Sequence, residues 1–350
     1  MRVRRATAVL VMLALALGAW AFTSRATTPP VGAPLVRAVE SVAITVGDMD
    51  RAVDFYTRVL LFEKLSDVRV TGESYARLHG VPGARVRIVR VRLGSEHVDL
   101  VEYLTPRGRP VPADSRSNDR WFQHVAIIVN DMDQAYAWLR RHKVTPVSPE
   151  PQRLPDWNVN AAGIRAFYFQ DPDGHPLEIL QFPPDKGNPR WQRPSDSVFL
   201  GIDHTAIVVD DTDRSLAFYH DALGMRIAGQ SENYGPEQAR LNNVSGARLR
   251  ITTLRADAGP AIELLQYLTP GDGRPLPADT RANDVLAWQT RLVVGSTTDA
   301  HTSLLGRFVF LSPGVVTLSE STPGFARAFI GRDPDGHLLL LGSRPDAVVR

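Results

Sequence analysis

Residues 41 to 183 can be laid over residues 204 to 343, with matched stretches offset by between 162 and 165. Self-similarity held over that length means an internal duplication, and it limits the folds open to the chain more than any other feature. The matched stretches are RAVDFY at 51 with RSLAFY at 214, ARLHGVPGAR at 76 with ARLNNVSGAR at 239, and VDLVEYLTP at 98 with IELLQYLTP at 262. RPVPADSRSND at 109 matches RPLPADTRAND at 274, and DPDGH recurs at 171 and 333.

Each half divides again. SVAITVGDMDRAVDFYTRVL at 41 resembles HVAIIVNDMDQAYAWLRRHK at 124: an alternating apolar strand, an Asp-containing turn and an amphipathic helix. In the first module three further strand-like runs follow, near 61–70, 85–93 and 96–104, which makes the unit βαβββ. Module three opens at HTAIVVDDTDRSLAFY (204) and module four, the most eroded, at QTRLVVGSTTDAHTSLL (289). The expected fold class is therefore α+β, with four βαβββ modules paired into two domains. The boundaries read as 39–183 for the first domain, 184–199 for a Pro- and charge-rich linker, and 200–345 for the second.

The N-terminus starts basic (MRVRR), runs apolar from Ala8 to Phe22 and carries Ala19-Trp20-Ala21, the small-x-small pattern of a secretory cleavage site. Residues 1–21 are read as a signal peptide or, if uncleaved, an N-terminal membrane anchor, and residues 22–38 as a flexible lead. Either reading puts the body of the protein in the periplasm or outside the cell. The formal charge of +2 turns slightly acidic once Arg2, Arg4 and Arg5 are set aside, so no nucleic-acid partner is expected. With no cysteine there is no disulfide, thiol nucleophile or thiolate site, and any metal has to be held by nitrogen and oxygen.

Four βαβββ units, the HVAIIV…DMDQAYAWL opening and the DPDGHPLEIL closing hairpin resemble the vicinal-oxygen-chelate superfamily, which includes glyoxalase I, extradiol dioxygenases and bleomycin-resistance proteins. The resemblance covers about residues 39 to 345. It implies that modules pair into cups, usually with a divalent metal at the bottom, held by one side chain from the first and one from the last strand of each module.

Strand parity fits that picture: His124, Ala126 and Ile128 share one face, while Val125, Ile127 and Val129 pack beneath the helix. Glu178 faces the cup with His124, and a carboxylate in an apolar strand needs compensation, which a cation would supply. Carried over residue by residue, the resemblance offers Ser41, Asp99, His124 and Glu178 in the first half, and His204, Glu263, Gln289 and Leu340 in the second. Asp99 stands where the family carries Glu, and Ser41 where it carries His or Gln. Leu340 removes a ligand outright, so the first half ranks ahead and neither half holds the full set.

The implied cofactor is a divalent ion, one of Fe, Mn, Ni, Co, Zn or Mg. The implied function is a metal-dependent lyase, isomerase or oxygenase acting on a small oxygenated molecule, with Glu178 or Asp99 moving a proton. The competing reading is a non-catalytic binding protein of the bleomycin-resistance type, in which the His and Glu residues are relict polar pairs. Whether the halves pair within one chain or across a homodimer stays open.

Weaker features have plainer readings. Arg116 with Asn118 and Arg281 with Asn283 sit in Pro-rich connectors and are read as structural, and His175 and His337 as turn residues. Trp157, Asn158 and Arg165 lie near the expected entrance of the first cup, where Arg165 would meet an anionic substrate or the solvent. The arginines of RVRIVRVR (85) read as a solvated strand face.

Overall fold

Each module starts on a strand that feeds a helix through one turn, and the turn residue explains why the helix begins there. Asp48, Asp131 and Asp211 each accept backbone N–H bonds from the first helical turn, and Ser296 does so in module four. The computed structural model describes residues 34–318 and 324–344. The signal-peptide segment and residues 22–33 of the expected lead lie outside the described residues, and strand β1 already begins at Val36, inside that lead.

Module one comprises β1 (Val36–Thr45), α1 (Met49–Asp54, extended by a π-helical turn over Phe55–Val59), β2 (Glu63–Thr71), α2 (Glu73–His79), β3 (Arg85–Leu93) and β4 (Glu96–Thr105). Module two comprises β5 (Gln123–Val129), α3 (Met132–Arg141), the two-residue strands β6 (Thr145–Pro146) and β7 (Gln152–Arg153), β8 (Arg165–Gln170) and β9 (Pro176–Gln181). Module three repeats module one: β10 (Phe199–Val209), α4 (Thr212–Leu216, with a π-helical turn over Ala217–Ala222), β11 (Arg226–Asn233), α5 (Pro236–Asn242), β12 (Arg248–Arg255) and β13 (Ala261–Thr269). Module four repeats module two: β14 (Trp288–Val294), α6 (Thr297–Ser303), β15 (Val309–Phe310), β16 (Val316–Thr317), β17 (Arg327–Arg332) and β18 (Leu338–Ser343). The short helices α2 and α5 go beyond the expected βαβββ unit; each ends on a left-handed residue, Gly80 or Asn243.

The strands form two curled nine-stranded sheets. One runs β15-β17-β18-β14-β1-β4-β3-β2 and joins modules one and four; the other runs β11-β12-β13-β10-β5-β9-β8-β6 and joins modules two and three. We call these the outer and inner cups. Each is centred on an antiparallel pair, β1 with β14 or β5 with β10. The expected grouping of ligands by duplicated half does not hold, because each cup takes one module from each half.

The halves nevertheless hold together on their helical side. One apolar core joins Val42, Ile44 and Tyr56 of module one to Val125, Ile127 and Phe167 of module two; a second joins Ile207 and Tyr219 of module three to Leu292 and Phe329 of module four. The Pro-rich connectors then lock the halves across the cups. Arg109 pairs with Asp284 and Asp279, Arg274 pairs with Asp119 and Asp114, and Arg116 and Asn118 both reach Asp272. The backbones cross so closely that a Cβ on Gly108 would lie 1.9 Å from the Asn283 carbonyl, and one on Gly273 would lie 2.0 Å from that of Asn118.

Candidate metal centre

The floor of the inner cup is set by register. Ala206 lies opposite His124 and beside Glu263, while Ala126 lies opposite His204 and beside Glu178. In-register neighbours share a face of the sheet, so two His–Ala–Glu rows cross the cup floor and the alanines leave room between them. The result brings together His124, Glu178, His204 and Glu263, one ligand-type residue from each of four strands.

The distances are those of a convergent set. His124 Nε2 is 3.1 Å from Glu178 Oε2, and His204 Nε2 is 3.6 Å from the same oxygen and 3.4 Å from Glu263 Oε2. Ligand atoms of His124, Glu178 and His204 all fall within 4.8 Å of one another. Neither ring nitrogen of His124 and not the Nε2 of His204 has an aligned hydrogen-bond partner, although all are buried. Unpartnered buried imidazole nitrogens facing carboxylates suit a central cation, and two nitrogens with two carboxylates suit a borderline or hard divalent ion.

The surrounding groups orient the ligands. Asp203 accepts from His204 Nδ1 at 3.2 Å, from Trp191 Nε1 at 3.2 Å and from Arg255 at 3.0 Å. A carboxylate on Nδ1 fixes the tautomer that presents Nε2 to a metal. Thr253 donates to Glu263 Oε1 at 2.7 Å, leaving the other oxygen toward His204. Tyr168 packs its ring 4.9 Å from that of His124.

Electrostatics point the same way. Burial works to lower the His204 pKa, but Glu263, Asp203 and Glu178 outweigh it and push that pKa well above the ordinary imidazole value. Burial works to raise the Glu178 pKa, and the His124 and His204 rings more than reverse it. The centre thus demands positive charge, which an imidazolium or a bound dication can provide. Above it opens a cavity of about 580 Å³ lined by Glu178, His204, Glu263, Tyr168 and Arg255, with the 154–164 loop along one side.

The outer cup holds the remaining predicted ligands and arranges them otherwise. Asp99, fully buried, accepts from Arg90 at 2.7 and 2.9 Å, from Arg291 at 2.9 Å and from Ser41 at 2.8 Å. Its Oδ2 accepts three of these bonds and its Oδ1 the fourth, and β4 lies in the other sheet, so Asp99 does not join His124 and Glu178 in one site and is not free to hold a metal or move a proton. Burial would raise its pKa, and Arg291 and Arg90 hold it low. Glu40 completes the network on Arg90 at 2.8 and 3.0 Å. Gln289, also in this cup, lies opposite Ala43, with Leu340 next to Arg291. Tyr75, Leu78, Ile88, Ile330 and Leu340 fill the interior.

Other predicted residues resolve individually. Arg165 is held by Asp133 at 2.6 Å, and Asn158 is buried against Asn233 at 2.7 Å. His175 bonds Asp171 at 2.8 Å and the Val285 carbonyl at 2.7 Å, and His337 bonds the Val208 carbonyl at 2.9 Å, so the DPDGH turns clasp neighbouring modules. Arg281 and Asn283 lie in the crossing connectors, where Asn283 donates to the Pro106 carbonyl at 3.1 Å.

Sequence reasoning missed Asp203, Arg90, Arg291 and Glu40. Arg90 was readable by parity, since it follows Val86 and Ile88 on the cup-facing side of β3 and is no solvated residue. Asp203 was hidden by a register shift between Ile202 and His204, which breaks the strict alternation that would turn adjacent side chains to opposite faces.

Comparison with known proteins agrees with this architecture. A family model described as the Glyoxalase/Bleomycin resistance protein/Dioxygenase superfamily matches residues 38–179 and 201–341. A 2-epi-5-epi-valiolone epimerase from an Actinomyces species is 35% identical over 159 residues, 43% of this chain and 83% of the epimerase. Lactoylglutathione lyase GLX1 of Arabidopsis thaliana is 28% identical over 191 residues, 55% of this chain and 56% of the lyase. In fold, a glyoxalase I mutant from Zea mays superposes with a TM-score of 0.59 at 16% identity, covering 88% of this chain and 92% of that one. A putative dioxygenase from Bacillus subtilis gives 0.56 at 14% identity, covering 89% and 87%. With two tandem matches that span most of its length, the chain belongs to the Glyoxalase/Bleomycin resistance protein/Dioxygenase superfamily.

Proposed function

We propose that the chain is an exported, divalent-metal-dependent lyase or isomerase whose chemistry is confined to the inner cup. The observation that carries this reading is the convergence of His124, Glu178, His204 and Glu263, with their unpartnered nitrogens, at the floor of a cavity. Relatives named as an epimerase and as a lactoylglutathione lyase support the reaction class. Export is supported by the basic start, the apolar run and the small-x-small pattern at the N-terminus.

In this reading His124, Glu178 and His204 would hold the ion, with Glu263 at its edge, and the ion when bound would withdraw charge from neighbouring oxygens of the substrate. The chain supplies the rest. Asp203 keeps the His204 ring oriented. Glu263, whose side chain is 17% exposed against 6% for Glu178, is the carboxylate with room to work on a substrate. It takes over the role expected of Asp99, its counterpart in the duplication. Its free oxygen accepts a proton from the carbon beside a carbonyl, the electron pair passes to the carbonyl oxygen, and the proton returns to carbon. Glu178, enclosed by two imidazoles, serves as the anchoring ligand.

The test is metal analysis of protein purified without chelator, followed by NMR of small α-hydroxy ketones in deuterated water. One divalent ion per chain and deuterium uptake at the carbon next to the carbonyl are expected. Substoichiometric metal that reconstitution does not restore would sink the proposal. Metal and ligand binding without exchange would instead mark the inner cup as a binding site of the bleomycin-resistance kind.

A further inference from the structure

Resting on the metal-centre reading above, we infer that the inner cup takes an uncharged, multiply hydroxylated small molecule and rejects anionic conjugates. The inference comes from the charge ledger of the cavity and from what replaces charge on its walls.

The fixed charges nearest the centre are Glu178, Glu263 and Asp203 against Arg255, and a dication brings that set to neutrality. Arg255 is the one cation among the described residues that line the cavity, and Asp203 engages it at 3.0 Å. Three arginines on the segments framing the mouth are paired as well: Arg153 with Asp156 at 2.7 Å, Arg165 with Asp133 at 2.6 Å and Arg248 with Glu232 at 2.6 Å. Lys186 donates to the Val159 carbonyl at 2.8 Å. An anionic substrate would find each of these guanidiniums already paired with a carboxylate, and would leave the balanced centre with excess negative charge.

Leucines and isoleucines share the cavity wall with amides and hydroxyls from Asn160, Gln230, Ser231, Asn233 and Gln238. Part of this polar lining is built into the fold. Asn158 donates to Asn233 at 2.7 Å, Asn233 to Gln238 at 3.1 Å, and Gln238 to Asn242, and all four are buried. The duplicated positions of Gln238 and Asn242 in the outer cup are Tyr75 and His79, which stack on each other, so the amide chain belongs to the inner cup alone. Amides that both donate and accept, held in place and uncharged, match hydroxyl groups. Sites built to bond substrate hydroxyls discriminate strongly against molecules that lack them.

The experiment uses the full metal-loaded protein, with metal content measured before and after each titration so that loss of the ion is read separately from loss of ligand. Calorimetry with myo-inositol and 2-hydroxycyclohexanone, both uncharged, is set against S-hexylglutathione. Binding of a neutral probe without binding of the anionic conjugate at the same concentration is expected. The double variant Gln230→Ala, Ser231→Ala should weaken the neutral probe by about tenfold or more while metal content stays at the wild-type value. Binding of S-hexylglutathione, failure of both neutral probes, or neutral binding indifferent to the double variant overturns the inference even where metal is fully loaded.

Discussion

The two cups share one plan and differ in how they neutralise buried carboxylates. In the inner cup Glu178 and Glu263 face two imidazoles, with Ala126 leaving space at the centre. In the outer cup the matching positions are Leu340, Asp99, Ser41 and Gln289, and Ala126 is matched by Arg291, which reaches into the space and bonds Asp99 at 2.9 Å. Thr253, which bonds Glu263 through one hydroxyl, is matched by Arg90, which forks Asp99 through two nitrogens. An arginine is permanently charged and cannot leave. The outer cup is thereby a closed salt-bridge core, whereas the inner cup keeps a charge requirement that an exchangeable ion can meet.

The largest expected effect breaks this contrast directly. Glu178→Ala should strip the bound ion from the inner cup, lowering affinity by well over the roughly 10–100-fold that loss of an outer-sphere partner costs. Leu340→Ala, at the duplicated position, should leave metal content unchanged. Elemental analysis of both variants after dialysis checks the pair; equal loss in the two would show that the cups do not divide the work in this way.

Next in size is the converse, a stability loss specific to the outer cup. Asp99→Ala leaves Arg291 buried without its acceptor, and breaking a buried pair from one side costs about 3–5 kcal/mol. Adding Arg291→Leu to that variant should recover much of the loss, because the uncompensated charge is gone. Glu263→Ala, on the open side of the inner cup, should cost far less in metal-free protein. Urea midpoints of the three variants decide the matter, and equal losses for Asp99→Ala and Glu263→Ala would contradict the assignment of a structural role to one cup and a chemical role to the other.

Much of the fold was legible because it was written twice over. Capping Asp residues, alternating strands and the DPDGH turns recur in register, and local signals of that kind place helices and strands reliably. His124, Glu178, His204 and Glu263 could each be picked out as ligand-type residues on cup-facing strands. Their grouping could not, since a repeat reveals which modules are alike and is silent on which strand edges meet. The pairing of β5 with β10 is a long-range choice, settled by helical-side packing within each half and by the crossed Arg–Asp connectors. Taking Glu178 with Asp99 as one site thus followed chain order where the sheet follows edge pairing.

A smaller effect separates the cups by pH. Burial pushes the His79 pKa from 6.5 down to about 3, with the nearby Tyr75 carbonyl opposing. The unfolded chain therefore takes up this proton as pH falls below about 6.5, and the folded chain does so only near 3. The sign follows: this group's contribution is full above pH 6.5 and is lost progressively as pH falls toward 3. The inner cup carries Asn242 at the matching position, and amides do not titrate. Replacing His79 with Asn should remove about 1 kcal/mol of the stability difference between pH 7 and 5.5. Urea unfolding of wild type and His79→Asn at both values measures it, and parallel slopes would show that His79 does not govern the outer cup's acid response.

The smallest effect is an expected failure. If a missing carboxylate were all that separates the cups, Leu340→Glu would give the outer cup a metal. Its neighbour across the β14–β18 register is Arg291, which with Arg90 already supplies the positive charge that Asp99 and Glu40 require. A new carboxylate there meets a guanidinium before it meets an ion, and the His position opposite is still Ser41. Leu340→Glu should thus leave metal at one equivalent per chain. Adding Arg291→Ala, Arg90→Thr, Ser41→His, Asp99→Glu and Gln289→His rebuilds the inner cup's ligand rows, and only that combination is expected to take up a second equivalent. Uptake by Leu340→Glu alone would mean that Arg291 does not occupy the ion's place, and that the cups differ by one residue instead of by their whole charge plan.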